Sequence, residues 1–208
     1  MKGKFIVFEG CEGAGKSTQM RLLSEYMTAK GISHILTREP GGSDISESIR
    51  RIILDGKNSD MTDECEALLY AAARAQHLAD TVEPALLRGE TVLCDRYIFS
   101  SFAYQGYGRG LSLSFLEEIN AFALKKFMPD IVLFLDIPSE NAFERKHGAD
   151  PDDRMEQAGS AFHARVYHGY KELLRLYPQM TAVDCSGTKY ETSAKIAALL
   201  EERGLIGR

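Results

Sequence analysis

Short apolar runs alternate along the chain with longer stretches whose apolar residues recur every three or four positions. Five runs, at 4–9, 34–38, 91–95, 131–136 and 180–184, are 5 or 6 residues long. They are too continuously apolar to alternate, as expected of strands buried on both faces. The intervening stretches read as helices. Residues 17–30 repeat Leu22, Leu23, Tyr26 and Met27 at helical spacing and stop at Gly31. Thr62 caps a long helix through Leu68, Leu69 and Ala72 to about Arg88, with Gly89 ending it and Pro84 predicting a kink or break. Ser114 and Glu117 form a capping box for a helix to about Phe127. Ser139, Ser160 and Thr192 start three more, the last ending before Gly204. Strand–helix alternation of this kind predicts an α/β fold, a doubly wound five-stranded parallel sheet with flanking helices. There is no repeat and no linker. One stretch, 145–157, is rich in Asp, Arg and Gly, and reads as a short mobile lid within a single domain spanning 1–208.

Composition narrows the function classes. A chain of 208 residues buries enough surface for a core without staples. No apolar run approaches the roughly 20 residues that span a bilayer, and the N-terminal run is too short for a signal peptide, so a cytoplasmic protein without membrane contact is expected. The net charge of −5 argues against broad nucleic-acid binding. An acidic protein that binds anions must concentrate its positive charge locally. Cys11, Cys65, Cys94 and Cys185 form no CxxC pair and read as free thiols. The five histidines are scattered, with no nucleophile–His pair, and His77 reads as structural.

The chemistry begins at Gly10-Cys11-Glu12-Gly13-Ala14-Gly15-Lys16-Ser17, which matches GxxxxGK[ST] between an apolar strand and an amphipathic helix and continues into Thr18. Glycines let successive N–H groups turn inward around phosphate, and the helix presents its positive dipole end there. Lys16 reaches the β- and γ-phosphates, and the Ser17 hydroxyl ligates Mg²⁺. Cys11, close to a helix N-terminus, is a candidate for alkylation. The motif binds a nucleoside triphosphate without saying what becomes of it. Asp95, at the end of a strand, faces the crevice and is the natural metal partner of Ser17, with Arg96 where donor and acceptor phosphates meet. No NKxD base-reading motif and no DxxG switch appears, which weakens a GTPase-like switch.

Several further motifs resemble one family. Phe8-Glu9-Gly10 opening the phosphate loop, Thr37-Arg38-Glu39-Pro40-Gly41-Gly42, the run from Leu68 through Tyr70 and Arg74 to His77, Asp95-Arg96-Tyr97 followed by Ser100-Ser101 and Tyr104-Gln105-Gly106, Pro129-Asp130 through Asp136, and Asp153-Arg154-Met155-Glu156 are similar to thymidylate kinase signatures in order and spacing. The resemblance covers residues 4 to about 185. It implies transfer of the γ-phosphoryl group of Mg-ATP to dTMP. It places Glu12, Arg38, Glu39, Pro40, Tyr70, Arg74, Arg96, Ser101, Tyr104 and Gln105 around dTMP. Within that set Arg38 holds the acceptor phosphate, and a planar guanidinium suits that task. Arg74 donates to a base carbonyl and Tyr70 walls the base. Gln105 pairs with the base's polar edge, Tyr104 excludes a 2′-hydroxyl, and Glu12 lies near the sugar 3′-hydroxyl. The family often has Asp where this chain has Ala73, which leaves Arg74 without that orienting carboxylate. One methyl contributes only about 0.8 kcal/mol, so dUMP is expected to be a weaker but real acceptor.

Phosphoryl transfer needs a cation on the moving group. The chain has Glu12 and no arginine in its phosphate loop, so it is similar to family members that supply the cation from the lid. Arg154 is the first candidate and Arg145 the second, beside Lys16 and Arg96. Resemblance alone places adenine near Ser186-Gly187-Thr188, and implies a homodimer through helices near 62–75 and 114–127, although core packing would explain those apolar faces equally well. Another nucleoside monophosphate kinase, or a nucleotide-binding switch without catalysis, are the alternatives.

Overall fold

The computed structural model describes residues 3–138 and 154–207, with Glu156 described only in its backbone. The lid candidates Arg145 and Asp153, and the helix start expected at Ser139, lie outside the described residues. The five expected strands form one sheet: β1 Phe5–Glu9, β2 His34–Arg38, β3 Thr91–Asp95, β4 Ile131–Asp136 and β5 Met180–Asp184. Their spatial order is β2-β3-β1-β4-β5 and every pairing is parallel. The three central strands are apolar because helices cover both faces, and nearly all their residues are buried. The edge strand β2 departs from that expectation. It alternates between partly buried and exposed positions, and Leu36 is half exposed.

Helix α1 spans Lys16–Ala29, α2 Asp44–Leu54, α3 Asp63–His77 and α4 Glu83–Leu87. The long helix expected from Thr62 exists, and Thr62 does cap it, accepting from the Cys65 N–H at 3.3 Å. Its interruption is a π-helical turn at Leu78–Val82, beside Pro84, which has no N–H to give to the preceding turn. Helices α5 Ile98–Ser101, α6 Leu113–Ile119, α7 Ala121–Lys126, α8 Ser160–Leu176 and α9 Lys189–Glu202 follow. Two caps differ from expectation. Ser112, not Ser114, accepts from the Phe115 N–H and starts α6. Thr188 with Glu191, not Thr192, forms the capping box of α9. In both cases the residue with the free hydroxyl and extended backbone lies further upstream than the apolar spacing suggests.

A second π-helical turn, Phe102–Gly108, extends α5 and packs along α8. The approach is close enough that a Cβ on Gly108 would meet Phe162 at 2.6 Å, and one on Gly169 would meet Tyr107 at 2.7 Å. The register aligns the carboxyl ends of the strands, pairing Arg38 with Asp95, Phe8 with Asp95, and Asp136 with Asp184. Polar residues therefore collect along one rim of an otherwise apolar sheet, where open α/β sheets bind their ligands. No helix among the described residues is long and apolar enough to cross a membrane.

Candidate active site

The loop after β1 curls over the start of α1. Gly10 has φ 150° and Gly15 φ 92°, backbone that side-chain-bearing residues rarely adopt. A Cβ on Gly10 would also press on the Leu135 carbonyl at 3.1 Å. Lys16 folds back so that its ammonium donates to the carbonyls of Gly10 and Cys11, both at 3.2 Å. Burial, and secondarily the charge of Arg96, push the Lys16 ammonium below its ordinary value. A polyphosphate in the loop would oppose both effects by bringing negative charge beside the ammonium. The Ser17 hydroxyl lies 3.3 Å from a carboxylate oxygen of Asp95, and the second Asp95 oxygen has no hydrogen-bond partner among the described residues. Two hard oxygen donors beside a phosphate loop fit Mg²⁺, which draws few ligands from protein and the rest from phosphate and water. No cluster of three His, Cys, Asp or Glu side chains offers a metal cage among the described residues.

Arg96 occupies the junction. Its backbone has φ 68°, the left-handed region, and is pinned there by N–H donation to Phe8 O at 2.9 Å. Its guanidinium donates to Gly10 O at 3.0 Å, to the Tyr104 hydroxyl at 3.2 Å, and to Glu12 in an ion pair. That pair neutralises Glu12 inside the phosphate loop, where an unpaired carboxylate would repel the substrate. Behind Arg96 lies Glu9, fully buried, which accepts from the N–H groups of Tyr97 at 2.9 Å and Ser100 at 3.0 Å, and from the hydroxyls of Ser100 and Tyr170. Burial raises its carboxyl above the ordinary range, partly offset by Arg96 and these donors. Glu9 holds the turn that aims Arg96. Sequence reasoning gave it no role of its own, though a carboxylate ending a buried strand beside a phosphate loop is itself a signal.

A cavity of about 420 Å³ opens from the phosphate loop, within the range of ligand sites. It is lined by Glu12, Gly13, Gly15, Lys16, Ser17 and Thr18 at one end. Arg38, Glu39, Pro40, Tyr70 and Arg74 line its acceptor side, together with Asp95, Arg96, Ser101, Tyr104 and Gln105. The expected acceptor residues thus converge on one space, although they are drawn from four separate stretches of chain. Gly10, Cys11 and Ala14, which were also expected at the ATP site, do not line the cavity, and Cys11 and Ala14 are buried. Cys11 is buried, and burial pushes its thiol up to about 11, which removes the basis for an alkylation-sensitive cysteine.

Arg74 is almost wholly buried and held on three sides. Its Nε donates to Glu39 at 2.7 Å, one terminal nitrogen to Asn120 at 2.6 Å, and the other to Ser101 at 3.0 Å. The orienting carboxylate that Ala73 cannot supply therefore comes from Glu39 across the cavity, a correction to the expectation that Arg74 lacks one. Glu39 is in turn fixed by His77 at 3.0 Å, which also pairs with Thr37 at 2.7 Å. Three of five guanidinium N–H groups are spent, leaving two for a ligand. Arg38 contrasts with it, being half exposed and gripped by both oxygens of Glu47 at 2.8 and 2.9 Å.

Arg154 does not line the cavity. It donates to Ile53 O at 3.1 Å and to the buried carboxylate of Glu66 at 2.5 Å, which Arg109 and Gln105 share. Arg50, Leu54, Tyr97, Ser100 and Met155 also line the cavity; the last three fall within the family-like motifs but had no role assigned to them, and Arg50 and Leu54 fall outside those motifs. Arg50 sits on α2, a helix whose pattern of paired arginines and isoleucines, Ile49-Arg50-Arg51-Ile52-Ile53, was its one available signal.

A family model described as thymidylate kinase matches residues 8–196. A thymidylate kinase of Finegoldia magna is 44% identical over 202 residues, covering 97% of this chain and all of the relative. One from Desulforudis audaxviator is 46% identical over 218 residues, covering 100% and 96%, and one from Bacillus pumilus is 44% identical over 205 residues, covering 97% of each. Likeness of this extent, across every segment that builds the cavity, makes the chain a member of the thymidylate kinase family.

Proposed function

We propose that this protein transfers the γ-phosphoryl group of ATP to dTMP, giving dTDP and ADP. One observation carries the reading. A single cavity joins a phosphate loop at one end to a buried, carboxylate-oriented arginine and a glutamine at the other, with Arg96 between them. A switch needs only the first of these. The second gives an acceptor base a donor and an amide to meet, as a carbonyl-bearing pyrimidine requires.

The donor phosphates lie in the loop against Lys16 and the amino end of α1, with Ser17 and Asp95 holding Mg²⁺. When bound, that ion would lie against Ser17 and Asp95 and would screen the charge of the donor phosphates. Arg38 takes the acceptor phosphate, its exposed pairing with Glu47 being easily exchanged. Arg74 and Gln105 meet the base, Tyr70 walls it, and Tyr104 closes the side where a 2′-hydroxyl would sit. An acceptor phosphate is already ionised near neutral pH, so no general base is required. The residues instead position the two phosphates and neutralise the charge that moves between them. Arg154 and Arg145 are proposed to add a cation there. For Arg154 this means leaving Glu66, which Arg109 would still neutralise. A cytoplasmic setting suits these substrates.

ADP release with Mg-ATP and a panel of nucleoside monophosphates tests the assignment. Turnover is expected to be rapid with dTMP and slower but measurable with dUMP. It should be minimal with AMP or with the 2′-hydroxyl form of TMP. Turnover on another acceptor alone would keep the chemistry and overturn the base pocket, while acceptor-independent behaviour would overturn the kinase.

A further inference from the structure

Glu66 is fully buried on α3 and does not line the cavity, yet it is bound to a residue that does. One carboxylate oxygen accepts from the Gln105 amide nitrogen at 2.8 Å. The other accepts from Arg109 at 3.0 Å and Arg154 at 2.5 Å. Both guanidinium groups donate to Glu66, and a carboxylate that meets donors on every side serves them as an acceptor. The Gln105 amide must therefore turn its NH₂ toward Glu66. Its carbonyl oxygen is then the end left for the cavity, and Gln105 itself is buried too tightly to rotate at no cost. An unrestrained glutamine could offer either end to a ligand. This one offers an acceptor.

We infer that Glu66 is a specificity-positioning residue, which by fixing the Gln105 amide makes the pocket favour a pyrimidine with a hydrogen on N3 over one with a lone pair there. Thymine and uracil carry that hydrogen, and cytosine does not. Cytosine would set two acceptors face to face in a buried site, where an unmade hydrogen bond costs most. The inference rests on the proposed base pocket, in which the acceptor base lies against Gln105.

The experiment compares kcat and KM for dTMP and dCMP in wild type, Glu66→Gln, Glu66→Asp and Gln105→Met, with thermal midpoints for each. Glu66→Gln frees the amide to flip. It should narrow the dTMP-over-dCMP preference in kcat/KM by about tenfold or more, mostly through KM, with kcat at saturating dTMP changed by less than about threefold. Arg109 keeps a contact to Asp63 at 3.4 Å and Arg154 keeps Ile53 O, so neither is stranded. Should the glutamine variant not fold, Glu66→Asp retains the charge for both arginines while withdrawing from Gln105, and should narrow the preference in the same direction. A preference that survives in the folded Glu66 variants but collapses in Gln105→Met overturns the role of Glu66 and leaves the pocket standing. A preference that survives in Gln105→Met as well overturns both. Equal losses of kcat on the two acceptors, with the preference intact, mark Glu66 as structural only and likewise overturn the inference.

Discussion

Among the arginines that line the cavity, Arg38 and Arg74 lie in surroundings that predict opposite mutational signatures. Arg38 is half exposed and its partner Glu47 is solvated, a pairing that contributes at most about 1 kcal/mol to stability. Arg38→Ala should therefore lower kcat/KM for dTMP by about a hundredfold or more, the loss of a charge-assisted phosphate contact, while moving the thermal midpoint by less than about 3 °C. A midpoint that falls with the activity would mean that Arg38 is structural. Arg74→Ala cannot give so clean a result, because it strands the buried carboxylate of Glu39, a change that costs about 3–5 kcal/mol. A different residue corrects a sequence-level expectation. Position beside a helix start suggested a reactive thiol at Cys11, but solvent access and ionisation both oppose it. Native protein treated with iodoacetamide near pH 8 should carry no label at Cys11, Cys94 or Cys185, all buried. Peptide mapping that finds Cys11 labelled faster than unfolding allows would show that the phosphate loop opens. These contrasts were not legible from sequence, because an arginine's burial and a cysteine's ionisation depend on neighbours that lie distant in the chain.

At the scale of elements, the strands were the most legible part. Four of the five expected runs coincide with the observed strands at both ends, and the fifth differs by one residue. Continuous apolarity marks burial on both faces in the three central strands, whereas the edge strands β2 and β5 are only partly buried. The helix α2 and the turn Phe102–Gly108 were not read as elements. The first is strongly amphipathic, but short and close to a glycine-rich loop. The second is held in π-helical form by close packing of glycines on α8, which has no local signature. Helix starts show the same limit on a finer scale. Ser112 and Ser114 are both plausible caps, and only the backbone decides between them. Because Ser112 makes the capping bond, Ser112→Ala should destabilise the protein by about 1 kcal/mol and Ser114→Ala by less than about 0.5 kcal/mol. Chemical denaturation of the two variants checks this. Equal losses would mean that the cap contributes nothing and that α6 is held by tertiary packing alone.

Over the whole molecule, positive charge is outnumbered by negative, 25 Lys and Arg against 30 Asp and Glu, and part of it is concentrated in place. Lys16, Arg38, Arg50, Arg74 and Arg96 face one cavity against Glu12, Glu39 and Asp95, in a chain of net charge −5. That concentration was anticipated, since an acidic protein that binds polyphosphate requires it. The outer surface carries a second whole-molecule feature. On α3 the exposed positions Cys65, Leu68, Ala72 and Ala75 recur at helical spacing, with Leu68 50% exposed. Phe122 on the neighbouring α7 is 39% exposed. The core thus accounts for one face of α3, the one carrying Glu66, Ala67, Ala71 and Arg74, and leaves an apolar stripe of mostly small residues uncovered. Such a stripe lets a second helix approach closely. A homodimer through α3, which the family resemblance implies, would cover it, and that expectation is open to test. Leu68→Glu places a charge in the middle of that stripe and should shift the protein to monomer in sedimentation equilibrium, with little change in thermal midpoint at low concentration. Cys65 supplies an independent reading from the same surface. In the wild type its alkylation should slow as protein concentration rises through the dimerisation range, whereas in Leu68→Glu it should not depend on concentration. A wild type that sediments as a monomer at the highest concentrations, with Cys65 labelling at one rate throughout, would rule out this face as the contact between subunits. A dimer that survives Leu68→Glu would place the contact on another face.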